Sequence, residues 1–285
     1  MILTVNHETV YRYDAAVAHS TQYLRLTPQS GDGQKVLEWK LELPYPATSA
    51  EDSFGNILHV LTLDMPHSEI RIRATGIVET DAGERMSFGG GDPRPYLRQT
   101  RLTAMSPAMM EFAEKFRQPV MNLQALDALA HAVLAYLVFE PGITQADSTA
   151  AEAFAQARGV CQDHTHVFLA CCRYLGVPAR YVSGYVYSPG HVQDHLATHA
   201  WAEVWIEDRW WNFDVVNRCR AGSSHLKLAV GMDYMDACPV RGVRRGGGGE
   251  LMHAQVQVMQ EQSGMTAEDV EFFVQQQKQQ QQQQQ

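Results

Sequence analysis

The sequence predicts an α+β protein in which an N-terminal antiparallel β-sandwich precedes a core of helices packed on an antiparallel sheet. Three observations lead to this class. Up to about residue 80, the chain is rich in alternating and β-branched residues, with Pro, Gly and Asp turns between the runs. Apolar residues then recur at helical spacing between residues 107 and 175. Short apolar runs return from residue 180 onwards and indicate further strands.

Five strands are expected in the N-terminal region. The clearest is residues 69–79, where Ile70, Ile72 and Val78 face one way while arginine and threonine face the other. Strands at this spacing are typical of a β-sandwich, which we place at residues 1–85. The predicted strands are residues 2–13, 17–28, 35–43, 56–63 and 69–79.

Helices are predicted after a linker rich in Gly, Pro and Asp, which we place at residues 86–105. Ser106 is a candidate N-cap with proline in the first turn that follows. Thr149 and Glu152 have the spacing of a capping box. The predicted helices are residues 107–116, residues 122–139, one that opens near residue 148 and ends near residue 159, and one that runs from Cys161 to the Gly-Val-Pro at residues 176–178.

Further strands follow the helix that begins at Cys161. A short polar turn at residues 207–209 separates two of them, so these two should be antiparallel neighbours. The predicted strands are residues 180–187, 199–207, 210–214, 226–230 and 254–259, and the last two are expected to complete the same sheet. The second domain is therefore placed at residues 106–262, and the glutamine-rich tail at residues 263–285 is expected to be mobile.

Composition argues against several classes of function. The chain has 285 residues, a net charge of −9 and no long Lys/Arg stripe, so it is not expected to bind nucleic acid. It has no run of ~18 apolar residues, which argues against a transmembrane helix and a membrane partner. The first eight residues carry neither a basic nor a long apolar segment, so no signal peptide is predicted. Five cysteines, two of them adjacent, do not suggest a disulfide framework and favour a reducing cytoplasm.

Cys161 is placed like a nucleophile, because it follows a Gly-Val pair at the start of an amphipathic helix. A free thiol has a pKa of ~8.5, and a helix N-terminus together with a neighbouring histidine can lower it. His199 and Asp214 lie on the two strands that flank the turn, where they can approach each other across the ladder. Cysteine, histidine and aspartate in these places predict acyl transfer through a thiol, with Asp214 orienting His199.

Two other interpretations of the helix that begins at Cys161 were weighed. Cys171 and Cys172 are interpreted as core residues, because they fall where the helix turns its apolar face inward. A zinc site built from Cys161, His164 and His166 with one of these cysteines is not expected, since a single helix cannot aim all of them at one point. No metal site is predicted.

Five residues are candidates for lining a substrate cleft. Trp201 shares the face of His199 by period-two counting, although aromatic core packing explains it equally well. His195 lies in a loop before the His199 strand, where a polar surface loop is the simpler interpretation. The remaining candidates are Gln162, His164 and Tyr185.

Several motifs together resemble the transglutaminase-like superfamily. Four lie around the candidate site: residues 159–163 (GVCQD), 176–185 (GVPARYVSGY), 199–204 (HAWAEV) and 211–214 (WNFD). Residues 52–56 and 66–70 resemble the N-terminal region of the bacterial branch, and residues 230–236 with 239–242 resemble its C-terminal motif. The resemblance therefore spans roughly residues 1 to 260.

The resemblance implies a papain-like catalytic core with a cysteine–histidine–aspartate triad, which falls on Cys161, His199 and Asp214. It also implies amide chemistry through a thioester, without an organic cofactor. Two positions depart from the family pattern, since Val215 and Cys238 stand where proline is more usual. Neither departure removes a catalytic group.

The sequence therefore favours a cysteine-dependent amide hydrolase, either a protease or a peptide amidase, acting on a peptide or protein amide. Hydrolysis is preferred because water needs no dedicated amine site, and no feature for a second substrate is visible. The alternatives are transglutaminase-type transfer to an amine, a non-enzymatic binding module on the same fold, and a β-sandwich interaction protein whose catalytic domain is decaying.

Overall fold

The computed structural model describes residues 1–31, 33–81, 91–188 and 198–260. The predicted tail at residues 263–285 lies outside the described residues, as does most of the loop that contains His195. The described chain is α+β and its two larger sheets are antiparallel, so the predicted α+β class is confirmed. Within the described part, no helix combines the length and apolar character needed to cross a membrane.

The N-terminal region contributes five strands to one antiparallel sheet. They are β1 (Ile2–Leu24), β2 (Gln34–Glu42), β3 (Thr48–Glu51), β4 (Ile57–Leu63) and β5 (His67–Thr80). Four of these match predicted segments, whereas β3 was not predicted. Its four residues are all exposed, so it carries no apolar alternation by which it could be recognised.

The long strand β1 organises this sheet. Two separate strands were predicted at residues 2–13 and 17–28, but the chain runs through both as one strand of 23 residues. Its first half pairs with β5 and its second half with β4, and the register shifts between Arg12 and Val17. Where a break between two strands was predicted, the structure has an irregularity in a continuous strand.

Among the residues that the structure describes, the second region supplies five helices and a four-stranded antiparallel sheet of order β10-β9-β8-β11. The helices are α1 (Pro107–Glu114), α2 (Leu123–Tyr136), α3 (Ala150–Gln156), α4 (Cys161–Tyr174) and α5 (Tyr234–Ala237), and a 3₁₀ turn covers Arg94–Leu97. The strands are β6 (Val138–Phe139), β7 (Arg158–Gly159), β8 (Ala179–Val186), β9 (Thr198–Ile206), β10 (Arg209–Phe213) and β11 (His225–Gly231). Helix α4 packs against β8 and β9 and is buried along most of its length.

The helix starts follow the predicted caps. Ser106 accepts a hydrogen bond from the Met109 N–H, and Thr149 and Glu152 form the reciprocal capping box. Helix α2 ends earlier than predicted, because the chain becomes extended at Leu137 and then forms β6. Strand β6 pairs in parallel with β7, which leads directly into α4.

The last two strands, β12 (Val240–Gly246) and β13 (Glu250–Gln260), both pair with β1. The expectation that residues 254–259 complete the second sheet is therefore wrong. Their alternating pattern identified a strand but could not identify its partner, which lies near the other end of the chain. By strand pairing, residues 240–260 belong with the first sheet, although the sequence placed them in the second domain.

The two sheets share a hydrophobic core. Leu3, Leu61 and Ile72 from the first sheet form one buried cluster with Tyr185 and Leu226 from the second. The N-terminal region is thus packed directly against strands β8 and β11, and its burial contributes to the stability of both.

A charged cluster lies inside the second sheet. The Glu203 carboxylate accepts hydrogen bonds from Arg180 Nε, at 2.6 Å, and from Lys227 Nζ. All three side chains are at most 2% exposed. The Arg180 guanidinium also lies 4.1 Å from the centre of the Trp210 ring. Two cations share one carboxylate here, so this carboxylate supports the sheet that carries the candidate site.

Candidate active site

Cys161 occupies the first position of α4 and is half-buried. Parallel pairing between β6 and β7 fixes the approach to it, and the Glu140 N–H donates to the Gly159 carbonyl at 3.0 Å. The side chain of Asp163 closes the helix start by accepting a 2.7 Å hydrogen bond from the Val160 N–H. The first N–H groups of α4 have no intrahelical acceptor and leave partial positive charge beside the thiol.

Glycine is needed at position 159 for steric reasons. A Cβ there would lie 2.5 Å from Asp163 Cβ and 2.6 Å from its Oδ2. Asp163 also accepts a 2.7 Å hydrogen bond from Thr144 Oγ1, so it cannot swing away freely. The Gly-x-Cys spacing of the sequence therefore has a local cause, which is the close approach of Asp163 to the turn before α4.

His199 and Asp214 meet as the sequence predicted. Pairing of Phe213 with Ala202 aligns β9 and β10 and brings Asp214, just beyond β10, toward His199. His199 Nε2 lies 2.7 Å from Asp214 Oδ2. Asp214 occupies Nε2, so Nδ1 is the ring nitrogen left for Cys161, whose side chain helps to raise the pKa of this imidazole. The structure thus brings all three predicted residues together.

Electrostatics favour a charged His199. Burial would lower its pKa, but the hydrogen bonds and charges of Asp214 and Cys161 outweigh this and raise the pKa to about 10. Burial would raise the pKa of Asp214, yet hydrogen bonds from His199 and His225 hold it well below its usual range. The surroundings of His199 therefore favour its imidazolium form beside an ionised Asp214 carboxylate.

Two residues at this site were missed by sequence reasoning. His225 Nε2 lies 2.9 Å from Asp214 Oδ2. Asn217 donates to Asp214 twice, from its side chain to Oδ2 at 2.8 Å and from its N–H to Oδ1 at 3.1 Å. The Asp-x-x-Asn spacing is a local turn signal that could have identified Asn217. His225 carries no local signal, because it opens a strand whose position depends on the rest of the sheet.

Two of the predicted cleft residues lie elsewhere, and a third cannot be placed. Tyr185 is buried in the core shared by the two sheets, where its hydroxyl lies 2.7 Å from His7 Nδ1. His164 is fully buried, and its two ring nitrogens lie 2.8 Å from the Val160 carbonyl and 3.0 Å from the Leu137 carbonyl. His195 falls outside the described residues. Tyr185 and His164 therefore do not line a cleft, because the core takes up both side chains.

The other two predicted cleft residues lie beside the site. Trp201 is fully buried, stacks on His199 with 6.2 Å between ring centres, and meets His225 edge-on at 5.3 Å. It supports the site from behind and does not form a wall of the cleft. Gln162 follows Cys161 at the helix start, and its side-chain amide donates to the Ala146 carbonyl at 3.0 Å.

Three side chains of the site are close enough together to be considered as metal ligands. In the described part of the chain, His199, Asp214 and His225 form the group whose ligand atoms all lie within 4.8 Å of one another. Both imidazoles already point Nε2 at the same carboxylate oxygen, so hydrogen bonding explains their arrangement. His166, one of the residues considered for zinc, accepts a 3.1 Å hydrogen bond from the Tyr234 N–H instead.

Two family models match most of the chain. Residues 3–79 match the model of the bacterial transglutaminase-like N-terminal region, and residues 111–215 match that of the transglutaminase-like superfamily. An uncharacterized protein of Mycobacterium leprae is 28% identical over 277 residues, covering 90% of this chain and 98% of that protein. One from Mycobacterium tuberculosis is 27% identical over 270 residues, covering 84% of this chain and 86% of its own length.

One solved structure shares the whole fold. The crystal structure of a "putative cysteine protease" from Cytophaga hutchinsonii aligns with a TM-score of 0.74 at 20% identity. The alignment covers 93% of the present chain and 92% of the Cytophaga hutchinsonii chain. This likeness confirms the fold, and the two family models confirm the family that the motifs predicted.

Proposed function

We propose that this chain, which belongs to the transglutaminase-like superfamily, is a cysteine-dependent amide hydrolase that acts through a thioester acyl-enzyme. The observation that carries the proposal is the arrangement of Cys161 at the N-terminus of α4 beside His199, whose Nε2 lies 2.7 Å from Asp214. Its proposed substrate is a peptide or protein amide.

In the first half of the proposed reaction, the Cys161 thiolate attacks the amide carbonyl and forms a tetrahedral intermediate. The N–H of Cys161, free at the helix start, is placed to donate to the developing oxyanion. Protonated His199 then gives its Nδ1 proton to the leaving amine, the C–N bond breaks, and a thioester remains on Cys161. The raised pKa of His199 supports its role as the acid of this step.

In the second half, water attacks the thioester while neutral His199 accepts a proton from that water molecule. The C–S bond breaks, the carboxylic acid leaves, and the thiolate and imidazolium are restored. Asp214 holds the imidazole in one orientation throughout and stabilises its charged form. The same thioester could instead pass its acyl group to an amine, which is the alternative product of this chemistry.

A reducing compartment suits a thiol nucleophile. All five cysteines are free, and Cys171 and Cys172 are adjacent and buried without forming a disulfide. We therefore propose the cytoplasm as the place of action.

The proposal is tested with thiol-reactive acyl probes on the wild type and on Cys161→Ala, followed by a peptide-library screen in H₂¹⁸O. We expect labelling at Cys161 and uptake of ¹⁸O into the product carboxylate. Cys219→Ala removes an exposed thiol and serves as the matched control, which should label like the wild type.

Two results would contradict the proposal. Unlabelled Cys161 with no turned-over peptide would exclude a cysteine hydrolase. Products in which the acyl group has formed a new amide with a primary amine, without uptake of ¹⁸O, would assign the site to transglutaminase-type transfer.

A further inference from the structure

The Asp214 carboxylate accepts more hydrogen bonds than it would need to orient His199 alone. Its Oδ2 is approached by His199 Nε2 at 2.7 Å, His225 Nε2 at 2.9 Å and Asn217 Nδ2 at 2.8 Å. Its Oδ1 accepts the N–H of Asn217 at 3.1 Å. The side chain is 0% exposed, so these protein donors take the place of water.

The hydrogen bonds of His225 identify its tautomer. The Gly222 N–H, which can only donate, points at His225 Nδ1 from 3.3 Å, so Nδ1 acts as an acceptor. Ser224 Oγ lies 3.0 Å from the same nitrogen and can donate to it as well. The proton of the ring therefore resides on Nε2 and is donated to Asp214. His199 differs, because its second nitrogen faces the Cys161 thiol and its proton can move.

The ring of His225 reaches the site across the sheet. Strand β8 lies between β9 and β11, and its Gly184 pairs with His199 on one side and with Lys227 on the other. A Cβ on Gly184 would lie 2.1 Å from the Leu226 carbonyl oxygen and 2.6 Å from the Trp201 ring, so glycine lets both β11 and that ring approach β8 closely. Trp201 then meets His225 edge-on and fixes the plane of its imidazole.

The N-terminal sheet holds the strand that carries His225. The side chain of Gln34 bonds both the N–H and the carbonyl of Lys227, at 2.9 and 3.0 Å. Asn56 does the same to Val230, at 2.8 and 2.7 Å. Thr80 Oγ1 donates to the Ser223 carbonyl just before β11. Strand β11 is therefore anchored along its length by side chains from the N-terminal region.

We infer that His225 is a positioning residue, a neutral imidazole whose Nε2–H holds Asp214 in line with His199 while His199 exchanges its proton with Cys161. The inference rests on the proposed function for its chemical consequence. Its physical basis is that a buried carboxylate with several fixed donors cannot rotate away when the charge of its catalytic partner changes.

Two amide variants differ in reach and isolate the Nε2–H donor. In His225→Gln, the amide nitrogen can reach the position of Nε2 and donate to Asp214. In His225→Asn, the shorter amide can keep the bond to the Gly222 N–H but cannot reach Asp214. His253→Asn, at an exposed position of β13, is the control for an unrelated substitution.

The first measurement is the rate of Cys161 alkylation by iodoacetamide at pH 6, followed by peptide mass mapping. A hydrogen bond to a charged group is strong enough that we expect His225→Asn to slow alkylation by about tenfold. His225→Gln should stay within about threefold of the wild type, and His253→Asn should match it. Thermal unfolding of each variant verifies that the protein is folded.

The second measurement is the set of ¹⁵N signals from the histidine rings, which distinguish the imidazolium and the two neutral tautomers. We expect a neutral Nε2–H tautomer at His225, and His199 signals that move in His225→Asn but not in His225→Gln. Wild-type alkylation rates in His225→Asn, or equal loss in both amide variants, would overturn the inference. If wild-type Cys161 itself reacts no faster than Cys219, the proposed function fails, and the His199 signals alone then decide whether His225 positions the carboxylate.

Discussion

Asp214→Asn tests the electrostatic core of the site, because it removes the negative charge and keeps the shape of the side chain. In the native protein the pKa of His199 rises from 6.5 to about 10. At 1.36 kcal/mol for each pH unit, this rise favours the imidazolium by about 5 kcal/mol. Asp214 and Cys161 together supply this energy against the opposing effect of burial, and Asp214 is the larger contributor.

If Asp214 provides about half of that energy or more, its loss costs the imidazolium at least ~2.5 kcal/mol. Without this stabilisation, the pKa of His199 should fall from about 10 by about two pH units or more toward its ordinary value, since burial then acts with less opposition. A Cys161 thiolate is then less well stabilised by the neighbouring imidazolium. We expect its reaction with iodoacetamide at pH 6 to 7 to slow by about fifty- to a hundredfold.

The assay is the second-order alkylation rate of Cys161 between pH 5 and 9, read by peptide mapping against free N-acetylcysteine in the same tube. Asp64→Asn is the matched control, because this carboxylate is 79% exposed on the first sheet and pairs with His19. It should leave the profile of Cys161 unchanged. A folded Asp214→Asn protein with the wild-type rate and pH profile would refute the argument that Asp214 sustains the imidazolium.

Three further outcomes follow from the geometry. Gly159→Ala should lower the free energy of unfolding by about 1–3 kcal/mol, measured by urea denaturation, because the new Cβ meets Asp163, whereas Gly222→Ala meets only a carbonyl oxygen at 3.9 Å and should be nearly neutral. Glu203→Gln removes the carboxylate that two buried cations share and should lower the free energy of unfolding by about 3–5 kcal/mol. A decrease below ~1 kcal/mol would contradict the importance of this cluster. The raised pKa of His199 contributes stability that is fully present below pH ~6.5 and lost as pH rises through about 10. The stability difference between the wild type and Asp214→Asn should therefore shrink between pH 7 and 10.5, and a constant difference would argue against it.

Local signals in the sequence were sufficient for the helix starts and for most of the strands. Ser106 and Thr149 act through backbone groups three residues away, so their capping role can be derived without any tertiary contact. The position of Cys161 is equally local, because Gly159 and the helix N-terminus lie next to it in the chain. Even the meeting of His199 with Asp214 depends on a single short turn, whose register is set by its own length.

Other predictions failed where the partner was distant. Alternation identified residues 254–259 as a strand, but nothing within that segment indicates that it pairs with β1. Tyr185 alternates correctly along β8, yet its face meets the first sheet and His7. A period of two reveals that a strand has two faces and leaves open what each face contacts.

The sequence by itself determined the fold class, the family resemblance and the three residues that meet at the candidate site, because these depend on local patterns and on one tight turn. Only the tertiary structure decided that His225 joins Asp214. That contact requires β11 to lie beside β8, Gly184 to leave room for Trp201, and the N-terminal sheet to hold β11 in place. Each of these conditions depends on residues far apart in the chain, and strand pairing over such distances is set by packing of the whole molecule.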